Sequence, residues 1–147
     1  MKSEPSEFSI DDLKRVKEVV WDGVRNYQVR NMFRDKMRVG DRALFYHSSC
    51  DLIGVVGEME IVSPAEVDST QFDQTSKYYD PGSDLRSPRW LGPRVRFVSK
   101  YPRLVALHEL RGDKRLADMI LLKPGNRLSA FPISLKHYNL IRILSDV

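Results

Sequence analysis

The chain has 147 residues, of which 41% are hydrophobic and 30% are charged, as in an ordinary globular domain that can bury a core. Its formal net charge of +4 permits a polyanionic partner without requiring one. Cys50 is the only cysteine, which excludes a disulfide framework and a multi-cysteine zinc site, and no apolar run approaches the roughly 18 residues of a membrane span.

These properties predict a single domain over residues 1–147 that has no membrane association. One cysteine and no visible secretory signal favour a reducing, intracellular compartment. That compartment is the cytoplasm or, in a eukaryote, the nucleus. The sequence leaves the oligomeric state open.

The first twenty residues predict an extended start followed by a short helix. Pro5 disfavours helix at Glu4. Ser9 and Asp12 have the spacing of a capping box, which predicts a helix near residues 10–18.

The next segment, Trp21–Asn31, combines a large aromatic residue, the turn Asp22-Gly23 and helical spacing, and its helix should end before Gly40. An apolar stripe suited to face a core consists of Val29, Met32 and Phe33. A different face carries Tyr27, Arg30 and Arg34. A protein that holds a planar, phosphate-bearing ligand needs this combination of an apolar face, a basic face and an aromatic residue. The simpler interpretation is an amphipathic helix whose arginines are solvated.

Residues 43–47 and 52–62 predict two strands of a hairpin, joined by the polar link 48–51. Gly54 and Gly57 indicate a bulge or a close approach of the backbone.

Residues 63–93 contain several prolines and glycines and predict a long irregular loop. Its aromatic residues indicate a loop that folds onto another part of the protein: Phe72, Tyr78, Tyr79 and Trp90. Residues 94–101 alternate as a half-buried strand with a basic outer face.

The C-terminal part predicts a helical stretch over residues 105–122 that is broken at Gly112, then an extended piece over residues 127–133. Ser134 can cap a last helix. Strands and short helices in this order predict a mixed α+β domain with a small curved sheet or barrel.

Charge is distributed unevenly along the chain. Residues 25–42 contain six basic side chains, and residues 85–108 contain six more and no acid. Between these two blocks, residues 43–76 contain six acids and no lysine or arginine. If the two basic blocks meet in space they form a phosphate-binding rim, and if they do not they are solvated faces.

No pattern favours catalysis. His47 and Cys50 are close in sequence, but catalytic partners meet in space and seldom at such spacing. His108 and His137 lack the spacing of metal ligands, and Gly125–Arg127 is too short for a phosphate-binding loop. We therefore predict a protein that is not an enzyme and has no metal and no cofactor.

Aromatic and amide side chains are more informative. Aromatic residues near turns or strand ends are Trp21, Tyr46, Tyr79 and Trp90, and amides and hydroxyls near them in the pattern are Asn26, Asn31, Ser48 and Ser129. Aromatic faces stack on bases, and amides or hydroxyls read base edges. Each aromatic taken alone is also compatible with an ordinary core position.

Four motifs in order along the chain resemble the EVE domain family, which includes the thymocyte nuclear proteins. They are Lys2-Ser3-Glu4-Pro5, Trp21-Asp22-Gly23-Val24-Arg25-Asn26-Tyr27 with Arg30-Asn31, Gly40-Asp41 with Phe45-Tyr46-His47-Ser48, and Gly125-Asn126-Arg127-Leu128-Ser129. Two further motifs lie between them, Tyr78-Tyr79-Asp80-Pro81 and Pro88-Arg89-Trp90. In one departure, family members usually have a short aromatic strand ahead of the first motif, whereas this sequence begins at Met1.

The resemblance implies a PUA-like fold, a curved β-sheet or open barrel surrounded by short helices. It also implies a nucleic-acid partner, DNA or RNA, whose modified base, such as 5-methylcytosine or 5-hydroxymethylcytosine, enters a pocket beside the barrel. By position, the base-pocket residues are Ser3, Trp21, Val24, Asn26, Tyr46, His47, Ser48, Trp90, Leu128 and Ser129. The residues that would contact phosphates are Arg25, Arg30, Arg89 and Arg127.

Two other functions remain open from the sequence. One is an enzyme or small-molecule binder that holds a free nucleotide or a metabolite in the same pocket. The other is a protein-interaction module, which only the aromatic loop of residues 63–93 suggests.

Overall fold

The computed structural model describes residues 1–147 and has a mixed α+β architecture. Its strands are β1 (Lys2–Ser3), β2 (Glu18–Val20), β3 (Arg42–His47), β4 (Gly54–Ile61), β5 (Glu66–Val67), β6 (Leu91–Gly92) and β7 (Arg94–Ala106). Its α-helices are α1 (Ile10–Val16), α2 (Tyr27–Asp35), α3 (Leu107–Gly112) and α4 (Leu135–Ser145). None of the helices combines the length and the apolar character that crossing a bilayer requires.

Five strands form one curled, half-barrel sheet in the order β1-β3-β4-β7-β2. β1 runs parallel to β3, and every other pair in the sheet is antiparallel. The pairing of β4 with β7 shifts register on either side of Gly57 and Glu58, and such bulges increase the bend of a strand. A Cβ at Gly57 would lie 2.4 Å from the carbonyl oxygen of Ser99, so this position requires glycine, as the sequence indicated. The predicted curved sheet is confirmed.

The sheet is buried on both faces because alternate residues of β3 enter two different cores. Phe45 belongs to a core that α1 and α2 cover, whereas Leu44 and Tyr46 belong to a core that α3 and α4 cover. Burial on both sides explains why residues 43–47 are almost continuously apolar.

The N-terminal helices form as the sequence predicts. Ser9 and Asp12 make a reciprocal capping box, and α1 ends where Lys17 takes a φ of 71°. On α2, Val29 and Phe33 are fully buried and Met32 packs against the same core, which confirms the apolar stripe.

Three expectations differ from the structure. β7 continues to Ala106 because Val105 pairs with Val55, so α3 begins later than predicted, and two 3-10 turns replace helix beyond Gly112. Residues 127–133 form no strand, although the carbonyl oxygen of Ser129 accepts a 2.7 Å hydrogen bond from the Lys2 amide. The loop of residues 63–93 is partly regular, because β5 pairs with β6 and a 3-10 turn spans Ser69–Phe72.

Gly92 allows β6 to pass directly over the start of the predicted base-binding segment. A Cβ at Gly92 would lie 1.8 Å from the carbonyl oxygen of Trp21, whose amide donates to the carbonyl oxygen of Pro93 at 2.8 Å. The loop of residues 63–93 is thereby held against Trp21.

We expect Gly92→Ala to lower the free energy of unfolding by about 3 kcal/mol or more, because the added methyl group would collide with backbone. Gly112→Ala is the matched control, since a Cβ there meets nothing within 4 Å. Its effect should stay within about 1 kcal/mol. Urea denaturation of the two variants measures both values, and equal midpoints would contradict the close approach.

Candidate functional site

A cavity of about 580 Å³ opens beside β1. Its walls come from the end of β1, the turn between β2 and α2, residues 76–78 and residues 127–129. Five of the ten predicted base-pocket residues line it, and they are Ser3, Trp21, Val24, Ser48 and Ser129. Arg127 is the one predicted phosphate contact that also lines it. A volume of this size suits one small planar ligand.

The cavity also has residues that were not among the predicted contacts. They include two aromatic residues, Phe8 and Tyr78, three acids, Glu4, Glu7 and Asp22, and two lysines, Lys2 and Lys77. The aromatic density of the loop that carries Tyr78 was a usable signal for that residue. Nothing in the sequence indicates which acids point toward the cavity.

Tyr78 faces the cavity because it packs across Gly23. Gly23 has a φ of 81°, and a Cβ there would lie 2.8 Å from the Tyr78 ring. The Tyr78 hydroxyl donates to Glu7 at 2.6 Å, and Lys77 forms an ion pair with the same carboxylate. Glycine is therefore needed at this turn both for its backbone angle and for the contact with the ring.

The buried carboxylate of Asp68 fixes the turn. It accepts hydrogen bonds from the Gly23 amide at 2.8 Å, from Arg25 at 2.9 Å and from the Thr70 amide at 2.9 Å. Burial alone would raise the pKa of Asp68, but the hydrogen bonds from Arg25, Thr70 and Gly23 outweigh it and hold the pKa below its ordinary value. Asp68 is therefore a charged residue at neutral pH, although it is only 1% exposed.

Arg25 was predicted to contact phosphate, but the structure directs its guanidinium inward. Its Nη1 contacts Asp68, and its Nη2 donates to the carbonyl oxygen of Tyr78 at 2.7 Å. Arg25 thus joins the turn to the segment that carries Tyr78.

Trp90 lies outside the cavity. Its indole N–H donates to Asp80 at 2.8 Å, and its ring stacks on Tyr27 with 4.8 Å between the ring centroids. Arg30 covers the other side of this stack, 4.7 Å from the Tyr27 ring, and donates to the carbonyl oxygen of Arg89 at 3.0 Å. The two basic blocks of the sequence therefore meet at Arg30 and Arg89.

Three other predicted pocket residues do not line the cavity. Asn26 caps α2, since its side-chain oxygen accepts from the Val29 amide at 3.0 Å. Tyr46 lies in the core beneath α4, and Leu128 packs against the opposite core. These residues belong to the same sequence motifs as the residues that line the cavity, so the motifs alone could not tell the two groups apart.

Trp21 and His47 are largely committed to the interior. Trp21 is only 6% exposed and packs edge-on against Phe45. The Nε2 atom of His47 accepts a 3.1 Å hydrogen bond from the Ile10 amide at the start of α1. Burial lowers the pKa of His47, with Lys100 acting in the same direction and Asp11 against it.

A larger groove of about 1200 Å³ lies between Met1, β3 and α4, and its lining is mostly apolar. Tyr46 is the only predicted pocket residue that lines it. We place the candidate site in the smaller cavity, because aromatic rings, hydroxyls and carboxylates converge there. No three His, Cys, Asp or Glu side chains are grouped so that they could hold a metal ion.

Comparison with known proteins shows the family of the chain. The family profile described as the EVE domain matches residues 1–144. Thymocyte nuclear protein 1 of Danio rerio is 38% identical over 166 residues, covering 99% of this chain and 71% of the relative. The human thymocyte nuclear protein 1 is 37% identical over 165 residues, covering 99% of this chain and 72% of the relative.

Two solved structures have closely similar folds. A hypothetical protein from Leishmania major superimposes with a TM-score of 0.95 at 42% identity, covering 99% of this chain and 92% of that protein. Human THYN1, in complex with DNA that contains 5-methylcytosine, superimposes with a TM-score of 0.92 at 37% identity, covering 100% of this chain and 96% of that protein.

We expect Asp68→Asn to lower the free energy of unfolding by about 3–5 kcal/mol, because an amide would leave the partly buried charge of Arg25 without its partner. Asp73→Asn, an exposed acid of the same loop, is the control and should cost no more than about 1 kcal/mol. Chemical denaturation measures both. A mild effect at Asp68 would show that the Gly23 turn holds without it.

The lowered pKa of His47 predicts a pH dependence of stability. The folded protein resists protonation of this imidazole, so the unfolded chain binds more protons once the pH falls below the ordinary histidine pKa of about 6.5. The contribution of His47 to stability is therefore complete above that pH and declines as the pH falls toward the folded pKa.

The His47→Gln variant tests this dependence, because the glutamine oxygen can accept from Ile10 without titrating. Between pH 7.5 and 5.5, wild type should lose more unfolding free energy than His47→Gln. His108→Gln, at an exposed position on α3, should behave as wild type. Equal losses in all three proteins would place the pH dependence elsewhere.

Proposed function

This chain belongs to the EVE domain family, and we propose that it is a non-catalytic domain that binds DNA and receives a modified cytosine, such as 5-methylcytosine, in the cavity beside β1. The observation that carries the proposal is the full-length similarity to human THYN1, which has been solved with 5-methylcytosine-containing DNA. The named relatives are called thymocyte nuclear protein 1, a name that describes no enzyme, and this also favours a binding role. Such a role is exercised where DNA is present, in the nucleus of a eukaryotic cell or the cytoplasm of a bacterium.

The cavity has the size and the surfaces that one extruded base needs. Its aromatic residues are Phe8, Trp21 and Tyr78. Because Trp21 is largely covered by the core, Tyr78 is the better candidate for stacking on the base. One stacked base contributes about 1–3 kcal/mol. Extruding a base from a duplex costs a few kcal/mol, so binding by this domain alone should be weak.

Hydroxyl groups supply contacts for the base edge. Ser48 and Ser129 line the cavity, and Ser3 does so while its hydroxyl donates to the carbonyl oxygen of Phe8 at 2.6 Å. Ser3 therefore has its lone pairs available and acts as an acceptor. Asn26, Tyr46, His47, Leu128 and Trp90 position the walls in this scheme and do not touch the base.

Basic side chains around the cavity hold the DNA backbone. Arg127 and Lys77 are exposed at the cavity, and Arg30 and Arg89 meet on the neighbouring face of α2. Contacts of this kind are independent of sequence and weaken as salt increases. Arg25 is assigned to positioning Tyr78.

We expect Tyr78→Ala to weaken binding of a 5-methylcytosine oligonucleotide by about tenfold or more, because a stacking surface is lost. Tyr79→Ala is the matched control, since Tyr79 is the next residue and does not line the cavity. Arg127→Ala should weaken all oligonucleotides alike. Titration of the intrinsic tryptophan fluorescence measures these affinities, because Trp21 lines the cavity.

The ligands are matched oligonucleotides with cytosine, 5-methylcytosine or 5-hydroxymethylcytosine, and the corresponding free nucleosides, each at two salt concentrations. Tighter, salt-sensitive binding of one modified oligonucleotide is the expected result. Equal binding of all oligonucleotides would leave only a basic surface. Binding of nucleosides without dependence on salt would favour a small-molecule site instead.

A further inference from the structure

A reader of 5-methylcytosine has to reject thymine, which is abundant in DNA and carries the same methyl group. The two bases differ at position 4, where cytosine has an amino donor and thymine has a carbonyl acceptor. Aromatic stacking and a pocket for the methyl group cannot distinguish them. The bases also differ at N3, which is an acceptor in cytosine and a donor in thymine, so a donor placed there would discriminate as well. An acceptor opposite the exocyclic amino group reads position 4 directly.

Carboxylates are the side chains that accept hydrogen bonds without being able to donate them when ionised, whereas a hydroxyl can rotate to do either, including that of Ser3 if it releases its hydrogen bond to Phe8. The cavity contains three carboxylates, Glu4, Glu7 and Asp22. Glu7 is already engaged by the Tyr78 hydroxyl and by Lys77. Glu4 and Asp22 have no ion pair and no hydrogen bond from another side chain, so the choice lies between these two.

Asp22 is the better placed of the two. It lies between Trp21 and Gly23, and the Gly23 amide is held to Asp68 at 2.8 Å, so the backbone of this turn is fixed. Its side chain is one methylene shorter than that of Glu4 and loses less rotamer freedom when it makes a contact. Glu4 follows the short strand β1 and precedes Pro5.

The electrostatic surroundings agree with this placement. Asp22 is an exposed residue. Partial burial first and the charge of Asp68 second raise its pKa, while the charge of Arg25 and a backbone hydrogen bond lower it. Burial raises the pKa of Tyr78 as well, and the next largest effect comes from the charge of Asp22, ahead of that of Glu4. Asp22 and Tyr78 line the same cavity.

From this geometry we propose that Asp22 determines base identity: its carboxylate accepts a hydrogen bond from the exocyclic amino group of the bound cytosine and repels the carbonyl oxygen of thymine. The inference rests on the proposed function, because it assigns a role within the same cavity. Asp22 is a specificity-determining residue here and not a source of general affinity, since a carboxylate near a DNA backbone opposes binding.

The test uses the full chain and labelled duplexes in which the target base faces an abasic site, so that no base pair has to be broken for any target. The target is cytosine, 5-methylcytosine, thymine or 5-methyl-2-pyrimidinone, which keeps the methyl group but lacks the amino group. Fluorescence anisotropy at one fixed salt concentration gives the affinities. Wild type should bind 5-methylcytosine about tenfold or more tightly than thymine or 5-methyl-2-pyrimidinone.

Asp22→Asn should bind thymine and 5-methylcytosine within about threefold of each other, because an amide can donate to a carbonyl as well as accept. Glu4→Gln is the matched control, since it removes one negative charge from the same cavity. It should tighten or weaken all targets alike and keep the rejection of thymine.

Other outcomes would contradict either the role of Asp22 or the proposed function. If Glu4→Gln and not Asp22→Asn abolishes the rejection of thymine, or if neither does, Asp22 is not the reader. If wild type binds 5-methyl-2-pyrimidinone as tightly as 5-methylcytosine, the amino group is not read, and this result stands even if a variant fails to fold. If wild type does not prefer 5-methylcytosine to cytosine, the proposed function itself fails.

Discussion

The carboxylate of Asp68 holds together the two segments that face each other across the cavity. It lies in the loop of residues 63–93, yet its partners include the amide of Gly23 and the guanidinium of Arg25 on the opposite wall. Burial opposes the charge, and four donated hydrogen bonds, two of them from Thr70, stabilise it. A buried charge that is satisfied in this way tolerates few alternative arrangements, so it fixes one relative position of turn and loop.

From Asp68 the contacts continue outward through Arg25. Its guanidinium donates to the carbonyl oxygen of Tyr78 and lies 5.4 Å from the Trp90 ring, which in turn stacks on Tyr27. Arg30 closes this series at the surface. The long loop therefore packs on α2 through alternating aromatic and guanidinium planes, an arrangement stabilised by cation–π attraction and by stacking. The stack also explains why a loop of this length is ordered: its aromatic residues are fixed by partners in α2 and in the turn.

An element of the fold could be predicted from the sequence when the contacts that determine it join residues close together in the chain. The capping box of Ser9 and Asp12 and the apolar stripe on α2 involve residues three or four apart, and both formed as predicted. The extension of β7 into the predicted helix depends on pairing with Val55, some fifty positions away, which no local pattern reveals. The site followed the same rule. Family resemblance pointed to several segments that line the candidate cavity, but a motif cannot tell a side chain that lines a cavity from one that lies away from it. Asn26 is a helix cap, and His47 accepts from a helix amide.

In the proposed function, the distribution of charge around the cavity separates affinity from selectivity. Arg89 and Arg127 are exposed and Arg30 is half-buried on the face of α2, while the carboxylates of Glu4, Glu7 and Asp22 line the cavity together with Arg127. Acids this close to a polyanion weaken association, so on a surface that is proposed to bind DNA they need a compensating role. Glu7 has one, because it anchors the Tyr78 hydroxyl. For a carboxylate without a partner, the compensating role is the rejection of bases that offer it a second acceptor. Under the proposed function, affinity is supplied by the arginines and by stacking, and the identity of the base is decided in the cavity, where an unmatched acceptor is costly.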